Sequence, residues 1–114
     1  MSRADSIAAS QVRDAVPLFA ALGDETRFRL LARLSSEGPR SGASLRATSR
    51  LSRQATTKHL AVLAEAGLVR SRRDGRDRVW ELSPRRLADA QQYLDRISRQ
   101  WDDALDRLKK LVEG

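Results

Sequence analysis

The chain has 114 residues, of which 40% are hydrophobic, and a formal net charge of +7. This length suits a single domain, residues 1–114, with a modest core, and a chain this basic is expected to bind a polyanion, most often nucleic acid. The absence of Cys excludes disulfides, thiolate metal sites and a Cys nucleophile, and the 4% aromatic content argues against a stacking platform for single-stranded nucleic acid.

Neither a membrane span nor a targeting segment is expected. No apolar run approaches the roughly 18 residues that a transmembrane helix needs. The start of the chain, residues 1–5, is expected to be frayed and leads into mixed polar sequence rather than an apolar signal-peptide region. We therefore expect a cytoplasmic protein with no membrane partner. A basic surface that only promotes solubility is the alternative to a nucleic-acid partner.

Residues 1–23 are predicted to hold a first helix, because apolar positions recur there at helical spacing. Pro17 is expected to disturb this helix or to begin a second segment at its first turn. Gly23 is expected to end it. The apolar positions are Ile7, Val12, Val16, Phe19 and Ala20.

A second helix is predicted over residues 24–36. Asp24 suits its N-cap because the carboxylate can accept an otherwise unpaired backbone N–H, and Glu25 favours the positive end of the helix dipole. Residues 35–42 are rich in Ser and Gly and are predicted to form a loop. The apolar face of the helix is assigned to Phe28, Leu30, Leu31 and Leu34.

Residues 43–66 follow the helix-turn-helix pattern, with a short helix around Leu45, a three-residue turn and a capped second helix. Arg50 stands in the turn, where Gly is common, so a left-handed Arg50 would carry some strain. Ser52 is the expected N-cap of the second helix, and Gly67 is the expected left-handed residue after its end.

The second helix of this pattern has two different faces. Thr56, Leu60 and Leu63 recur at helical spacing and are predicted to be buried. The other face is polar and nearly free of acidic groups, which suits base edges and phosphates in a major groove. A solvated surface helix is the alternative. The residues of this polar face are Gln54, Thr57, Lys58 and Ala61.

Residues 68–82 are predicted to form a β-hairpin. Asp74 and Gly75 are expected at the centre of a type I′ turn, where both positions need positive φ. Trp80 and Leu82 alternate with their neighbours, so one face of the strand can pack on the helices. An arginine-rich tip beside a helix-turn-helix is typical of a wing that binds DNA phosphates or a narrow minor groove, with a solvated hairpin as the alternative. The arginines are Arg72, Arg73, Arg76 and Arg78.

A long last helix is predicted over residues 84–112, with Ser83 as its N-cap and Pro84 in its first turn. Roughly 28 residues span about 42 Å, which exceeds what a domain of this size needs. The apolar seam of this helix is therefore expected to pair with a second copy of the chain and with the first helix, rather than only with its own domain. The predicted dimer-interface residues are Leu87, Leu94, Ile97, Trp101, Leu105 and Leu108.

Three segments carry a resemblance to a known family: residues 19–31 (FAALGDETRFRLL), 51–60 (LSRQATTKHL) and 63–69 (LAEAGLV). With them, residues 15–82 resemble the ArsR-type family of winged helix-turn-helix transcriptional repressors. Residues 101–108 (WDDALDRL) look like a subgroup of that family without metal ligands. The resemblance implies a mainly α fold with a small β-hairpin, a homodimer through the terminal helices, and occupation of operator DNA that blocks transcription.

Position by position, the resemblance assigns DNA contacts to the second helix of the motif and to the hairpin. Arg46 on the short helix matches only loosely and is expected to contact a phosphate. Thr56 stands where the family has a buried aliphatic side chain, so this helix is expected to pack slightly differently against the rest of the domain. The predicted DNA-binding residues are Arg46, Ser52, Arg53, Gln54, Thr57, Lys58, His59, Arg72, Arg73, Arg76 and Arg78.

The family is best known for metal sensing, and here the sequence departs from it. Thiolate sites need Cys, and sites across paired last helices need His as well as carboxylates. Scattered carboxylates on a helix are more often solvated than ligating, so we predict no metal and no cofactor. The last helix has no His, and its aspartates are Asp95, Asp102, Asp103 and Asp106.

The chain is not expected to be an enzyme, because its only His, His59, lies on the helix expected to face DNA and no nucleophile elbow or Gly-rich phosphate loop is present. The favoured function is a sequence-specific regulator, a dimeric repressor that binds an inverted repeat in double-stranded DNA. One alternative is a repressor that responds to an unknown small molecule in a pocket between the terminal helices near Trp101. The other is a winged-helix module that binds protein.

Overall fold

The computed structural model describes residues 9–113, which form five helices and three short strands. Ile7 and the start of the chain lie outside the described residues. The mainly α fold with a small antiparallel sheet is the winged helix-turn-helix expected from the sequence. The elements in chain order are α1 (Ala9–Leu22), α2 (Glu25–Glu37), β1 (Arg40–Ser41), α3 (Gly42–Ser49), α4 (Arg53–Glu65), β2 (Val69–Asp74), β3 (Asp77–Leu82) and α5 (Pro84–Glu113).

Helix α1 continues through Pro17, so the expected break is absent. Proline removes the N–H that would bond to the carbonyl one turn earlier. Pro17 is exposed, so water can bond to that carbonyl, while Leu18 and Ala21 are buried and hold the rest of the helix against the core.

Helix α2 begins as predicted, because the Asp24 carboxylate accepts the backbone N–H of Arg27 at 3.0 Å. Its predicted apolar face was wrong at Phe28, which is 59% exposed. Phe28 lies on a different face of α2 from the buried residues of this helix. Arg27 stands at the edge of that buried face instead, and its Nε donates to the backbone oxygen of Ala21 at the end of α1, at 2.8 Å. The buried side chains of α2 are Leu30, Leu31 and Leu34.

The predicted loop over residues 35–42 is shorter than expected. Helix α2 runs to Glu37, and β1 forms the edge of a three-stranded sheet with the order β1-β3-β2. Arg40 pairs with Trp80 in β3. A strand of two residues has no alternation of its own, and its partner is distant in sequence, so local patterning could not reveal it.

The helix-turn-helix closes as predicted. Arg50 ends α3 in the left-handed region, with φ 57° and ψ 16°, and is the only non-glycine residue with positive φ among those described. Ser52 caps α4 by accepting the N–H of Ala55 at 3.0 Å. Gly67, with φ +79°, ends α4, and the next N–H, of Leu68, bonds back into the helix. These caps fix the two ends of α4 by local chemistry.

The hairpin forms, but its turn lies one residue later than predicted. Asp74 pairs with Asp77, so Gly75 and Arg76 are the central residues. Gly75 has a φ of +64° and Arg76 does not have positive φ. Positive φ at the first central residue alone is the pattern of a type II′ turn rather than type I′.

The core lies between α1, α2, α3, α4, the start of β2 and the first half of α5. Helix α5 has 30 residues, yet only Ala90 and Tyr93 in its first half are buried, and the molecule extends to 66 Å along its longest axis. Within the described residues, no helix combines the length and the apolar composition that crossing a membrane requires. The most deeply buried core residues are Leu18, Leu45, Leu60, Leu63 and Leu68.

Candidate nucleic-acid interface

A cleft of about 280 Å³ opens between α3, α4 and the β2–β3 hairpin, and we call it the arginine cleft. Five arginines from all three elements line it, and Asp77 is the one acidic residue that the structure places in its lining. The lining is therefore strongly positive. Trp80, Gly42 and Ala43 form part of its wall. The five arginines are Arg46, Arg53, Arg73, Arg76 and Arg78.

Helix α4 is seated so that its polar face stays accessible beside this cleft. Leu60 and Leu63 are fully buried beneath it. Thr56 is only 1% exposed, and its hydroxyl donates to the backbone oxygen of Ser52 at 3.0 Å. The buried hydroxyl is therefore hydrogen-bonded within the helix. This bond offsets most of the free-energy cost of burying a polar group beneath α4. The accessible polar residues of the opposite face are Gln54, Thr57 and Lys58.

The hairpin holds its arginines in an arrangement that favours an anion. Arg73 and Arg78 lie directly opposite each other across the strands. Like charges opposite one another destabilise a sheet, unless an anion lies between or beside them. Arg78 also donates from Nη1 to the Ser71 hydroxyl at 2.8 Å, so its guanidinium is partly fixed in place.

The predicted DNA-binding residues do not all meet at one place. Arg46, Arg53, Thr57 and the three arginines of the hairpin named above line the arginine cleft. His59 does not line it and lies on the flank of α4 that faces α2, with Nδ1 4.0 Å from Asp24 Oδ1. The pKa of Asp24 is lowered, chiefly by the backbone N–H of Arg27. Ser52 at the N-cap of α4, and Gln54 and Lys58 on α4, are exposed outside the lining of the cleft. Arg72 is exposed on the opposite face of the hairpin from Arg73, because successive residues of a strand alternate between its two faces.

Two features of the interface were missed from the sequence. Trp80 was expected only to pack on the helices, yet it also forms part of the cleft wall together with Gly42. Arg33 of α2 reaches across to α3, where Nη1 contacts the Thr48 hydroxyl and donates to the backbone oxygen of Ser44 at 3.2 Å. Arg33 therefore fixes α3 against α2 and so positions one side of the cleft.

The terminal helices leave an apolar surface uncovered. A groove of about 400 Å³ lies between α1 and the first half of α5, and Tyr93 and Ile97 form its α5 side. Trp101, near which a ligand pocket was expected, lies one turn beyond this lining and is 65% exposed. Leu87 of the predicted seam packs partly on the core of its own chain. The other predicted seam residues are all exposed: Leu94, Ile97, Trp101, Leu105 and Leu108.

The four aspartates of α5 from Asp95 onward are all exposed. Asp106 pairs with Lys110, one turn away, at 3.5 Å between Oδ2 and Nζ. Across residues 9–113, three or more His, Asp or Glu side chains nowhere come together in a group that could hold a metal ion.

Comparisons with known proteins agree with this architecture. A helix-turn-helix domain family matches residues 22–72, from the end of α1 into β2. The HTH-type transcriptional regulator Rv2034 of Mycobacterium tuberculosis is 38% identical over 94 residues, which cover 82% of this chain and 84% of that protein.

Solved structures give the same result. An ArsR-like transcriptional regulator from Rhodococcus sp. RHA1 is 34% identical, with a TM-score of 0.78 over 90% of this chain and 96% of its own. A possible transcriptional regulator for arsenical resistance is 41% identical, with a TM-score of 0.64 over 80% and 91% of the two chains. The chain therefore belongs to the ArsR family of winged helix-turn-helix transcriptional regulators, and it is a DNA-binding regulator rather than an enzyme.

Proposed function

We propose that the protein is a dimeric repressor that binds an inverted-repeat operator in double-stranded DNA and does not respond to metal. The observation that carries the proposal is the arginine cleft, with the accessible polar face of α4 beside it. Such a surface pairs a phosphate-binding wall with side chains that can reach base edges, as sequence-specific recognition requires.

Helix α4 supplies the base contacts in this proposal. Its polar face enters the major groove, where Gln54, Thr57 and Lys58 contact base edges. Arg46 and Arg53 bind phosphates beside the helix, since both line the same cleft. The hairpin arginines bind the neighbouring backbone or enter a narrow minor groove.

The dimer is supported by the apolar seam of α5. Seven large apolar side chains remain exposed along one face of α5, and Val12 and Val16 of α1 are exposed near the same groove. A second copy of the chain would cover both surfaces. A two-fold axis through this contact places the two α4 helices about 34 Å apart, in successive major grooves. Occupation of a promoter then excludes polymerase.

The absence of a metal response is proposed from the ligand chemistry of the whole sequence. It contains no Cys and a single His. That residue, His59, is only 25% exposed and faces Asp24 on α2 rather than α5. Zinc and related ions favour thiolate and imidazole donors, so the family's known sensing sites lack their main ligands here.

A second candidate is a repressor that responds to a small apolar molecule. The groove between α1 and α5 favours this second candidate, because the residues that line it, among them Val12 and Ile97, are apolar. The groove borders the exposed seam, so a molecule bound there would alter how two chains pair. In that case the small molecule, rather than a metal, would control DNA binding.

Selection from a pool of random-sequence DNA duplexes tests the proposal. The purified protein is expected to enrich one short motif that occurs twice in inverted orientation, and competing single-stranded DNA is expected to leave the enrichment unchanged. Enrichment of single, unpaired motifs would contradict the dimer. No enrichment at all would contradict sequence-specific binding.

A further inference from the structure

Four polar side chains join the two terminal helices near the end of α4. Arg86, in the first turn of α5, lies 3.0 Å from Asp14 of α1 (Nη1 to Oδ2), and its Nη2 donates to the backbone oxygen of Asp14 at 3.2 Å. The same Nη1 lies 2.8 Å from Asp89. The Tyr93 hydroxyl donates to Asp14 Oδ2 at 2.6 Å. Together with Gly67, these residues form what we call the Arg86 joint.

The stem of Arg86 also touches the end of α4. A Cβ on Gly67 would lie 2.7 Å from Arg86 Cγ, which is closer than real Cβ atoms approach their neighbours. Gly67 is the left-handed residue that ends α4, so the backbone there rests directly on the Arg86 stem. The N–H of Ser83 donates to the oxygen of Leu68 at 2.9 Å and ties the start of α5 to the same point.

Several directional contacts hold the Arg86 joint together. The Arg86 side chain is 21% exposed, both carboxylates contact its Nη1, and its Nη2 donates to the backbone oxygen of Asp14. A planar guanidinium that makes several bonds has little freedom to reorient. The hydrogen bond from Tyr93, and then that from Arg86, lowers the pKa of Asp14, because both contacts favour its ionised form. The contact between α1 and α5 is therefore directional as well as apolar.

We propose that Arg86 is a positioning residue for DNA binding: through Asp14 and Gly67 it sets the angle between the terminal helices and α4, and so the half-site spacing that a dimer accepts. This inference rests on the proposed dimer. Helix α4 is about 20 Å long, so a tilt of about 10° at its C-terminal end moves its N-terminal end by about 3.4 Å, or one base-pair step.

The test uses two matched variants of the full chain and the same random-sequence duplex pool. Arg86→Met removes the guanidinium and keeps an unbranched stem against Gly67. Arg85→Met removes the same charge from the adjacent, exposed position. Wild type and Arg85→Met are expected to enrich paired half-sites with one dominant spacer length. Arg86→Met is expected to enrich the same half-site with several spacer lengths, and to lose about tenfold in affinity for the wild-type spacing but not for a single half-site.

The spacer distribution separates positioning from a purely structural role. A structural role would weaken binding to single and paired half-sites alike and would leave the spacer unchanged, and that result would overturn the proposal. Equal broadening with Arg85→Met would overturn it as well, since charge alone would then explain the effect. If Arg86→Met lacks the helical circular dichroism of wild type, Tyr93→Phe takes its place, and an unchanged spacer there counts equally against the proposal. Failure of wild type to select paired half-sites would instead refute the dimeric function, and this inference with it.

Discussion

The central part of the molecule, from α2 to β3, buries most of its large apolar side chains within one chain, with Phe28 as an exception, whereas the terminal helices leave many of theirs exposed. Five leucines of the central part are at most 2% exposed, and the groups that remain accessible there are mainly polar or basic. Helix α5 carries an equally regular apolar pattern, yet Trp101 and Leu108 on it are 65% and 57% exposed. Apolar area of this kind is stabilised only when something covers it. The five leucines are Leu34, Leu45, Leu60, Leu63 and Leu68.

The two regions also differ in what they lack. The central part has an excess of positive charge in the arginine cleft that its own acids do not balance, and so it lacks an anion. The terminal helices lack an apolar partner that would cover their exposed side chains. One chain thus presents two different incomplete surfaces, and the Arg86 joint lies between them. Each surface should be completed by the partner that its chemistry indicates, and variants of each region can test this separately.

The largest effect is expected from charges placed in the seam. Leu94→Asp combined with Ile97→Asp should weaken dimer association more than about 100-fold, because carboxylates would be buried without partners. Light scattering should give the mass of one chain. Ala88→Asp with Gln92→Asp adds the same charge on the exposed polar face and should leave the dimer intact. A dimer mass for the seam variant would refute this interface.

Core truncation distinguishes the two regions by stability. Leu63→Ala should lower the free energy of unfolding by about 3 kcal/mol at every protein concentration, because it opens a cavity in a complete core. Leu108→Ala should cost little in a monomer and progressively more as concentration favours the dimer. Urea unfolding at two protein concentrations measures the loss of stability in both variants. Equal losses that do not depend on protein concentration would show that the two regions do not differ.

The hairpin arginines should govern affinity through salt. Arg76→Ala with Arg78→Ala should weaken binding to every duplex and reduce the slope of log K against log salt by about 1.8, or about 0.9 for each phosphate that is no longer neutralised. Arg107→Ala with Lys109→Ala removes the same charge from the far end of α5 and should change the slope much less. An unaltered slope for the hairpin variant would place the phosphates elsewhere.

Base reading by α4 should depend on Gln54. Gln54→Ala should cost about 1–3 kcal/mol at the preferred site and relax base preference at one position of each half-site. Gln91→Ala, an exposed glutamine on α5, is the control. Selected sequences that keep their full base preference would exclude Gln54 from the reading face.

The smallest effect concerns acid stability. The pKa of Asp14 is lowered in the folded chain, so its contacts contribute stability above the ordinary Asp value of about 3.9, and that contribution is lost as pH falls through the lower folded value. Tyr93→Phe removes the hydrogen bond that lowers the pKa of Asp14 most. The pKa of Asp14 should therefore rise, and the part of the folding stability that is lost in acid should become smaller. Carboxyl NMR titration measures the shift, and an unchanged pKa would contradict the hydrogen bond.

Elements fixed by neighbouring residues were predictable from the sequence. The caps at Asp24, Ser52 and Gly67 act within a few residues, and the structure has all three. The strained Arg50 was also anticipated, because the three-residue turn leaves few alternatives to a left-handed conformation. The arginines of the hairpin could be identified for the same reason, since they flank a turn sequence directly.

Features that depend on distant partners were not predictable in this way. Strand β1 exists only because Arg40 pairs with Trp80, and the bond between Asp14 and Tyr93 joins opposite ends of the chain. The one-residue shift of the turn at Gly75 depends on strand register, which turn propensity alone did not determine. Most of the features that the sequence did not predict therefore involve side chains whose partners lie far away in the sequence.

The mass of the protein–DNA complex tests the central claim most directly. Sedimentation of the purified protein with a selected inverted-repeat duplex should give two chains on each duplex, and scrambling one half-site should greatly weaken binding of the pair. A single chain bound to the intact duplex, with the second half-site dispensable, would contradict the account.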